Sequence, residues 1–173
     1  MAASGFALFE TAIGACGIAW SDRGVVSIQL PERNEAATRA RLAKRCPGAM
    51  EVPPPPDVQR AVDAIVALLS GESADLSFVA LDMDGVPEFH RRVYEVARMI
   101  RPGATLSYGD IARRLGDPGS ARAVGQALGR NPFVIVVPCH RVLAAGGKTG
   151  GFSANGGTAT KLTLLAIEGA QLF

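Results

Sequence analysis

The sequence predicts a mixed α+β protein built from two domains. Residues 1–85 contain alternating apolar stretches and longer helical segments, whereas residues 86–173 contain short helices separated by glycine- and proline-containing turns. The change falls at residues 82–87, so we expect an N-terminal α/β domain over 1–85 and a second domain over 86–173. A chain of 173 residues, 48% of them hydrophobic, suits two small domains with an adequate core.

The first domain is predicted to start with antiparallel strands. Apolar stretches at residues 6–9, 18–20 and 25–30 are separated by turns that contain glycine, which is typical of hairpins. Further along the chain, the pattern predicts two helices, at residues 34–45 and 58–69, with a stiff proline connector at 53–56 between them. A short strand is predicted at residues 78–81.

The second domain is predicted to carry two short helices joined by a tight turn. An amphipathic helix at residues 89–100 comes first, and Ser107 can cap the next helix, which runs to Leu115. A turn at 116–119 leads to a third helix at 121–128, opened by Ser120. A turn of this length between two short helices fits a helix-turn-helix, and a helical hairpin without a ligand has the same pattern.

The third predicted helix has unusually little side chain on several sides. Such a surface permits close approach of a nucleic-acid groove, and it equally permits close packing inside the protein. An exposed arginine on a bare helix can enter a base stack and hold the gap left by an extruded base. The small residues are Ala121, Ala123, Gly125 and Ala127, and the long ones are Arg122 and Arg130.

Charge is divided unevenly along the chain. The net charge is +2, yet residues 1–85 have 7 basic and 11 acidic side chains, and residues 86–173 have 11 basic and 5 acidic ones. A basic second half fits a polyanionic partner, although ordinary surface variation produces the same imbalance. No apolar stretch approaches the roughly 20 residues that span a bilayer, and the N-terminus has no signal-peptide pattern.

The cysteines indicate a reduced protein without a metal. Three widely spaced cysteines form no disulfide framework, and with only two histidines they form no recognisable zinc cluster. We therefore expect a cytoplasmic protein that binds no metal and does not contact a membrane.

A thiol and an imidazole stand side by side in Pro138-Cys139-His140-Arg141-Val142, behind an apolar run at residues 133–137. A neighbouring base can take the thiol proton, and the thiolate attacks carbon far better than the thiol does. Most buried cysteines are inert core residues, so the dipeptide needs support from its surroundings.

Together these stretches resemble the O6-alkylguanine-DNA alkyltransferase family, also called methylated-DNA–protein-cysteine methyltransferases. The resemblance covers about residues 88–169, and residues 1–85 match only in outline. It implies a ribonuclease H-like first domain and a winged helix-turn-helix-like second domain. It rests on Ser107-Tyr108, Ala121-Arg122-Ala123-Val124-Gly125, Asn131-Pro132, the Pro138–Val142 stretch, Gly151-Phe152-Ser153, Lys161 and Leu164-Leu165-Ala166-Ile167-Glu168-Gly169.

The resemblance implies a catalytic role for four residues. Cys139 would accept the alkyl group from O6 of guanine by in-line displacement, and His140, oriented by Glu168, would take the thiol proton through water. Tyr108 would donate a proton toward N3 of the leaving guanine and would contact the phosphate backbone. Taken without the resemblance, Glu168 and Lys161 are predicted to be solvated surface charges.

The resemblance also implies how DNA and the base are bound. Arg122 would fill the hole in the duplex, and Asn131 would tie the recognition helix to the active-site segment. The carbonyls of Cys139 and Val142 would bind the guanine amino group, and Ser153 would lie near O6. Further DNA contacts are expected from Tyr108, Ala123, Gly125 and Arg130.

The resulting expectation is a monomeric, single-turnover repair protein that acts on double-stranded DNA containing O6-alkylguanine, without a cofactor or an obligatory protein partner. Two alternatives stay open. An alkyltransferase-like protein that only binds the lesion would lack the nucleophile, so Cys139 argues against it. A winged-helix thiol sensor would need neither Glu168 nor Tyr108.

Overall fold

The computed structural model describes residues 3–170 and divides the chain into two compact units. The first unit contains the chain up to Gly85 together with Pro132–Val136, and the second contains Val86–Asn131 and the chain from Val137 onward. The units differ from the predicted domains of 1–85 and 86–173 in one segment, Pro132–Val136, which lies in the first unit. No helix among the described residues is long and apolar enough to cross a membrane.

From residue 3 onward, the first unit contains a four-stranded sheet and two helices. Strands β1, β2 and β3 run antiparallel to their neighbours, as the hairpin pattern predicts, and the short β4 pairs parallel with β1, giving the order β3-β2-β1-β4. The elements are β1 (Gly5–Thr11), β2 (Gly14–Ser21), β3 (Gly24–Gln29), α1 (Glu35–Arg45), β4 (Met50–Glu51) and α2 (Pro56–Leu69).

Local chemistry explains where these elements begin. Asn34 caps α1 because its side chain accepts a hydrogen bond from the backbone N–H of Ala37 at 2.8 Å. Gly24 opens β3 with φ at +144°, and a Cβ there would lie 2.5 Å from the Ala80 carbonyl oxygen, so only glycine fits.

The strand predicted at residues 78–81 is wrong. Leu81 alone forms an isolated bridge, to Val25, and the chain before it turns through a hydrogen bond from the Val79 N–H to the Leu76 carbonyl. Phe78 is 52% exposed, so the apolar pattern of this stretch does not reflect a buried strand.

The segment Pro132–Val136 joins the first unit through β3. The Ile28 N–H donates to the Pro132 carbonyl at 2.9 Å, and Ile28 bridges to Phe133. Ile135 has a φ of +75°, the only positive value for a non-glycine residue in the described part of the chain. A β-branched residue rarely adopts this conformation, which has a cost in free energy. The Ile135 side chain is buried, and that burial offsets the cost.

In the described part of the second unit, up to residue 170, there are four helices and one parallel strand pair. Strands β5 and β6 pair, and single 3₁₀ turns at Pro118–Ser120, Cys139–Arg141 and Ala145–Gly147 connect longer elements. The elements are α3 (Glu88–Arg98), β5 (Leu106–Ser107), α4 (Tyr108–Arg114), α5 (Ala121–Gly129), β6 (Val142–Leu143) and α6 (Gly157–Ile167).

The predicted pair of short helices is confirmed as α4 and α5, with the tight turn between them. Ser107 and Asp110 form a reciprocal capping box, which fixes the start of α4 and places Tyr108 in its first position. Ser120 precedes α5 as expected, but its hydroxyl donates to the Asp117 carbonyl at 2.7 Å instead of capping the helix. The buried phenol of Tyr94 on α3 donates to the Ala127 carbonyl at 2.7 Å and so fastens α5 to α3.

Candidate functional site

A cleft of about 1100 Å³ lies within the second unit. It collects residues that are far apart in the sequence, from the start of α4, from α5, from the Cys139–Arg141 turn and from the glycine-rich loop before α6. Its lining includes the predicted site residues Tyr108, Arg122, Gly125, Cys139 and Ser153. The sequence therefore indicates five residues that the fold places around one cavity.

Cys139 lies at a buried position of this cleft and is only 8% exposed. It opens a 3₁₀ turn in which its own N–H donates to the Val137 carbonyl at 2.8 Å. Asn131 donates to that same carbonyl from its side-chain amide, also at 2.8 Å, and hydrogen-bonds the thiol. Asn131 thus connects the segment after α5 with the cysteine turn.

The thiol of Cys139 needs a base at neutral pH. Burial raises its pKa, and this effect outweighs the hydrogen bond from Asn131, the charge of Lys161 and the nearby backbone N–H groups. A thiol with a raised pKa is mostly protonated, so attack on carbon requires that its proton be removed.

His140 and Glu168 supply a base with a defined orientation. The His140 Nε2 atom lies 3.0 Å from Glu168 Oε2, and both side chains are almost fully buried. Burial raises the pKa of Glu168, but hydrogen bonds from Arg141 and His140 outweigh it and hold the pKa at about 2. Burial also lowers the pKa of His140. A neutral imidazole beside an ionised carboxylate carries its proton on Nε2, which leaves Nδ1 as the basic atom.

Nδ1 of His140 is buried and has no hydrogen-bond partner among residues 3–170. Buried polar atoms are nearly always paired, so an unpaired buried ring nitrogen is unusual. His140 directly follows Cys139 in the chain, and its Nδ1 has an unused lone pair that could accept a proton.

Arg141 was missed by the sequence reasoning. Its side chain is buried, and its Nε and Nη2 atoms donate to Glu168 Oε1 and Oε2 at 2.8 and 2.7 Å. Its Nη1 atom donates to the Ile100 carbonyl at 2.6 Å. The sequence signal that could have revealed it is the arginine's position directly after the Cys-His pair.

The alternative that applies without the family resemblance, in which Lys161 and Glu168 are solvated surface charges, is contradicted by their burial. Lys161 is 0% exposed, and its Nζ donates to the carbonyls of Val142 and Gly151 at 2.6 and 3.3 Å. The Glu168 side chain is 3% exposed. Both charges are buried because the fold supplies donors and acceptors from distant loops, which no local pattern reveals.

Tyr108 lies between Lys161 and the glycine-rich loop. The Lys161 Nζ is 5.9 Å from the centre of the Tyr108 ring, and burial raises the pKa of the Tyr108 phenol. A Cβ added to Gly150, whose φ is +71°, would lie 2.8 Å from the phenol oxygen, so the glycine lets the chain pass close to Tyr108.

The remaining predicted residues take different positions. Arg122 is exposed on α5 and lines the cleft, while Ser153 lines it from the glycine-rich loop. Ala123 on α5 and Arg130 just after it are outside the cleft lining, and Arg130 is exposed. The Val142 side chain is buried, so only its backbone carbonyl is considered as a binding group.

Comparisons with known proteins show which family this chain resembles. Residues 88–170 match the family described as 6-O-methylguanine DNA methyltransferase, DNA binding domain. The methylated-DNA–protein-cysteine methyltransferase of Methanothermobacter thermautotrophicus is 36% identical, and the match covers 90% of this chain and 80% of that protein. A "DNA base-flipping protein" of Thermus thermophilus is 43% identical over 64% of this chain and 73% of that one.

A solved structure extends the similarity to the whole fold. The crystal structure of Mycobacterium tuberculosis OGT in complex with DNA has a TM-score of 0.74 and 34% sequence identity, and the match covers 95% of this chain and 92% of that chain. The match therefore includes the first unit, where the sequence pattern alone gave only an outline. The chain belongs to the methylated-DNA–protein-cysteine methyltransferase family.

Proposed function

We propose that Cys139 is the acceptor in a single-turnover, direct-reversal repair reaction that removes the alkyl group from O6-alkylguanine in duplex DNA. The chain is a DNA repair methyltransferase, as its family membership establishes. The observation that supports Cys139 is its position in the cleft beside His140, whose Nε2 lies 3.0 Å from Glu168. The sulfur–carbon bond forms as the O6–carbon bond breaks, and the bonding electrons stay on guanine.

His140 is the base in this proposal. The thiol proton passes from Cys139, through a water molecule, to Nδ1 of His140, the atom that has no protein partner within the described chain. Glu168 keeps Nε2 protonated and balances the imidazolium that forms, as the carboxylate does in a catalytic triad. The lowered pKa of His140, caused mainly by burial, keeps the ring neutral before the reaction, with its single proton on Nε2.

Tyr108 is the acid that assists the leaving guanine. Burial raises the pKa of its phenol, so Tyr108 keeps its proton until it is transferred to N3 of the leaving guanine. The ammonium of Lys161, 5.9 Å from the ring centre, favours the phenolate that is left behind. Carbon–oxygen cleavage in this scheme needs no cofactor or metal, because the thiolate provides the nucleophile and Tyr108 provides the proton for the leaving group.

Recognition of the base uses backbone and side-chain groups of the same cleft. The carbonyls of Cys139 and Val142 accept from the guanine amino group, and Ser153 donates toward O6. The Val142 carbonyl already accepts from Lys161 at 2.6 Å, and its second lone pair is free to bind the base. Asn131 holds the turn in place through its bond to the Val137 carbonyl.

The DNA-binding surface is proposed to be α5 with the start of α4. Arg122, exposed at the cleft, enters the duplex and occupies the space of the extruded nucleotide, which offsets the few kcal/mol that unstacking costs. Ala123 has only a methyl side chain and Gly125 has none, so the backbone of α5 can approach the DNA groove. Tyr108 and Arg130 contact phosphates, which position the protein without reading sequence.

We also propose the finer description of the molecule. The first domain, 1–85, is ribonuclease H-like, and the second, 86–173, is a winged helix-turn-helix that binds DNA and accepts the alkyl group. The protein acts as a monomer in the cytoplasm without an obligatory partner or a membrane, and O4-alkylthymine is a further substrate. The α4–α5 pair, which has β5 before it and β6 after it in the chain, supports the winged-helix description, since these two strands pair with each other.

Transfer of a labelled methyl group tests the proposal. Duplex DNA carrying O6-methylguanine is incubated with the protein, and we expect a gain of one methyl group on the peptide that contains Cys139, as detected by mass spectrometry. Cys139→Ser is the matched control and should bind the same DNA without transfer. Label that stays on the DNA in the presence of folded wild-type protein would refute the proposal.

A second candidate is a lesion-binding protein that extrudes the base without reacting. The similarity to the Thermus thermophilus base-flipping protein supports it. The same assay separates the two, because binding without transfer would leave Cys139 unmodified.

A further inference from the structure

We infer that Arg141 is a positioning residue for the transfer reaction: it fixes the Glu168 carboxylate so that His140 keeps its proton on Nε2 and presents a bare Nδ1 to the acceptor thiol. This inference rests on the proposed role of Cys139 and His140, and it adds a residue that the reaction scheme does not use.

The contacts of Arg141 are the first argument. The guanidinium binds Glu168 with two parallel hydrogen bonds of 2.8 and 2.7 Å, the planar geometry that holds a carboxylate in one orientation. A third donor, Nη1, binds the Ile100 carbonyl just after α3 at 2.6 Å. Arg141 therefore connects the cysteine turn, the end of α3 and the C-cap of α6, and the carboxylate cannot rotate without breaking two bonds.

Sharing of one oxygen is the second argument. Glu168 Oε2 accepts from Arg141 Nη2 and lies 3.0 Å from His140 Nε2, so the guanidinium and the imidazole meet at the same atom. An ionised carboxylate only accepts hydrogen bonds, and therefore Nε2 must be the donor. Because Nδ1 then bears the lone pair, the tautomer of His140 follows from the position that Arg141 gives to Glu168.

The charges around His140 are the third argument. Burial lowers the pKa of His140 most strongly, Glu168 acts in the opposite direction by favouring the imidazolium, and the cationic groups of Arg141 and Lys161 lower the pKa further. Arg141 thus offsets part of the attraction that Glu168 alone would exert. A histidine that stays neutral in the resting protein can still accept a proton. A histidine that is already protonated, because an unopposed carboxylate stabilises the imidazolium, cannot.

Two substitutions separate geometry from charge. Arg141→Lys keeps the positive charge but replaces the two-pronged contact with a point donor, so the carboxylate loses its fixed orientation. Arg141→Gln removes the charge and leaves Glu168 to act on His140 alone. We expect Arg141→Lys to lower the second-order rate of methyl transfer by about 10- to 100-fold, a part of what a positioned base contributes. Arg141→Gln should move the acidic limb of the pH–rate profile to higher pH.

The ¹⁵N chemical shifts of the His140 ring provide a readout that a purely structural role would not change. In the wild type we expect a neutral ring with the proton on Nε2 and a bare Nδ1. In folded Arg141→Lys we expect a mixture of the two tautomers, while Arg92→Lys, an exposed arginine that donates to the Leu115 carbonyl, should match the wild type in tautomer and rate. A wild-type ring protonated on Nδ1 at neutral pH would overturn the inference even if neither variant folds.

The outcomes also distinguish this inference from the proposed function. If the wild type transfers no methyl group, the proposed function fails whatever the ring shifts show. If the wild type transfers methyl normally and folded Arg141→Lys keeps both the rate and the single tautomer, the role of Arg141 fails while the proposed function stands.

Discussion

Gly150 and Gly146 form a natural pair for testing how closely the glycine-rich loop controls Tyr108. Both have positive φ values, +71° and +74°, so alanine at either position incurs a similar backbone strain of about 1 kcal/mol. Their surroundings differ. A Cβ at Gly150 would lie 2.8 Å from the Tyr108 phenol oxygen, whereas a Cβ at Gly146 would have no heavy atom within 4 Å.

The size of the effect follows from this contact. To reach an ordinary separation of 3.4 Å from the new methyl group, the Tyr108 phenol must move by about 0.6 Å. Misplacement of a reacting group by 1 Å can cost about 100-fold in rate, so we expect Gly150→Ala to slow methyl transfer by about tenfold. Gly146→Ala should react at a rate within about twofold of the wild type, since its backbone strain does not reach Tyr108.

The assay combines chemical denaturation with the second-order rate of transfer from O6-methylguanine DNA. The two variants should lose similar stability, because the end of the Tyr108 side chain can move at little cost. If Gly146→Ala and Gly150→Ala lose activity to the same extent, the reasoning that links Gly150 to the position of Tyr108 is refuted.

Three further predictions follow from the site. Cys139→Ser should abolish methyl transfer while the dissociation constant for the same duplex, measured by fluorescence anisotropy, changes by less than about threefold, since the substitution replaces one buried atom; loss of DNA binding would argue against this view. Arg122→Ala should reduce the rate on duplex DNA by about 100-fold but leave the rate on free O6-benzylguanine nearly unchanged, with Arg114→Ala as the exposed control; an equal loss on both substrates would contradict insertion into the duplex. Glu168 has a folded pKa of about 2, below its ordinary value of 4.5, so it stabilises the fold above pH 4.5 and this contribution is lost as the pH falls toward 2. Glu168→Gln should therefore be less stable than the wild type at pH 7 and show a shallower loss of stability across that range, and parallel curves would disprove the assignment.

The elements that the sequence predicts correctly are those with local signals. Ser107 is predicted to cap the helix that follows it, and in the structure its hydroxyl accepts the backbone hydrogen bond expected of it. The helix predicted from residue 34 also begins there, and the structure shows Asn34 as its cap. The turn at residues 116–119 separates α4 from α5 as its glycine and proline content predicts. Such features depend on a few neighbouring residues, so a single sequence is sufficient to locate them.

The features that sequence reasoning missed depend on distant partners. Lys161 is in an ordinary helical stretch, and only the fold brings the Val142 and Gly151 carbonyls to its ammonium. Arg141 and Glu168 are 27 residues apart. The position of Arg141 directly after the Cys-His pair singles it out, but it does not indicate that Glu168 is the partner in an ion pair. The strand predicted at 78–81 is wrong because an apolar stretch alone does not show whether a neighbouring strand is present. In the structure only Leu81 forms a bridge, to Val25.

The segment Pro132–Val136 has a practical consequence for protein engineering. Phe133, Ile135 and Val136 are buried with the first unit, although the residues on either side belong to the second. A fragment that begins at residue 86 would therefore release three apolar side chains into water, together with a left-handed isoleucine that nothing then holds. Exchange of the first unit between relatives, or its removal to make a minimal DNA-binding tag, would require a redesigned polar connection here. Cys139, the proposed acceptor, follows that connection by only three residues, so any change to the connection would be made next to the proposed reactive site.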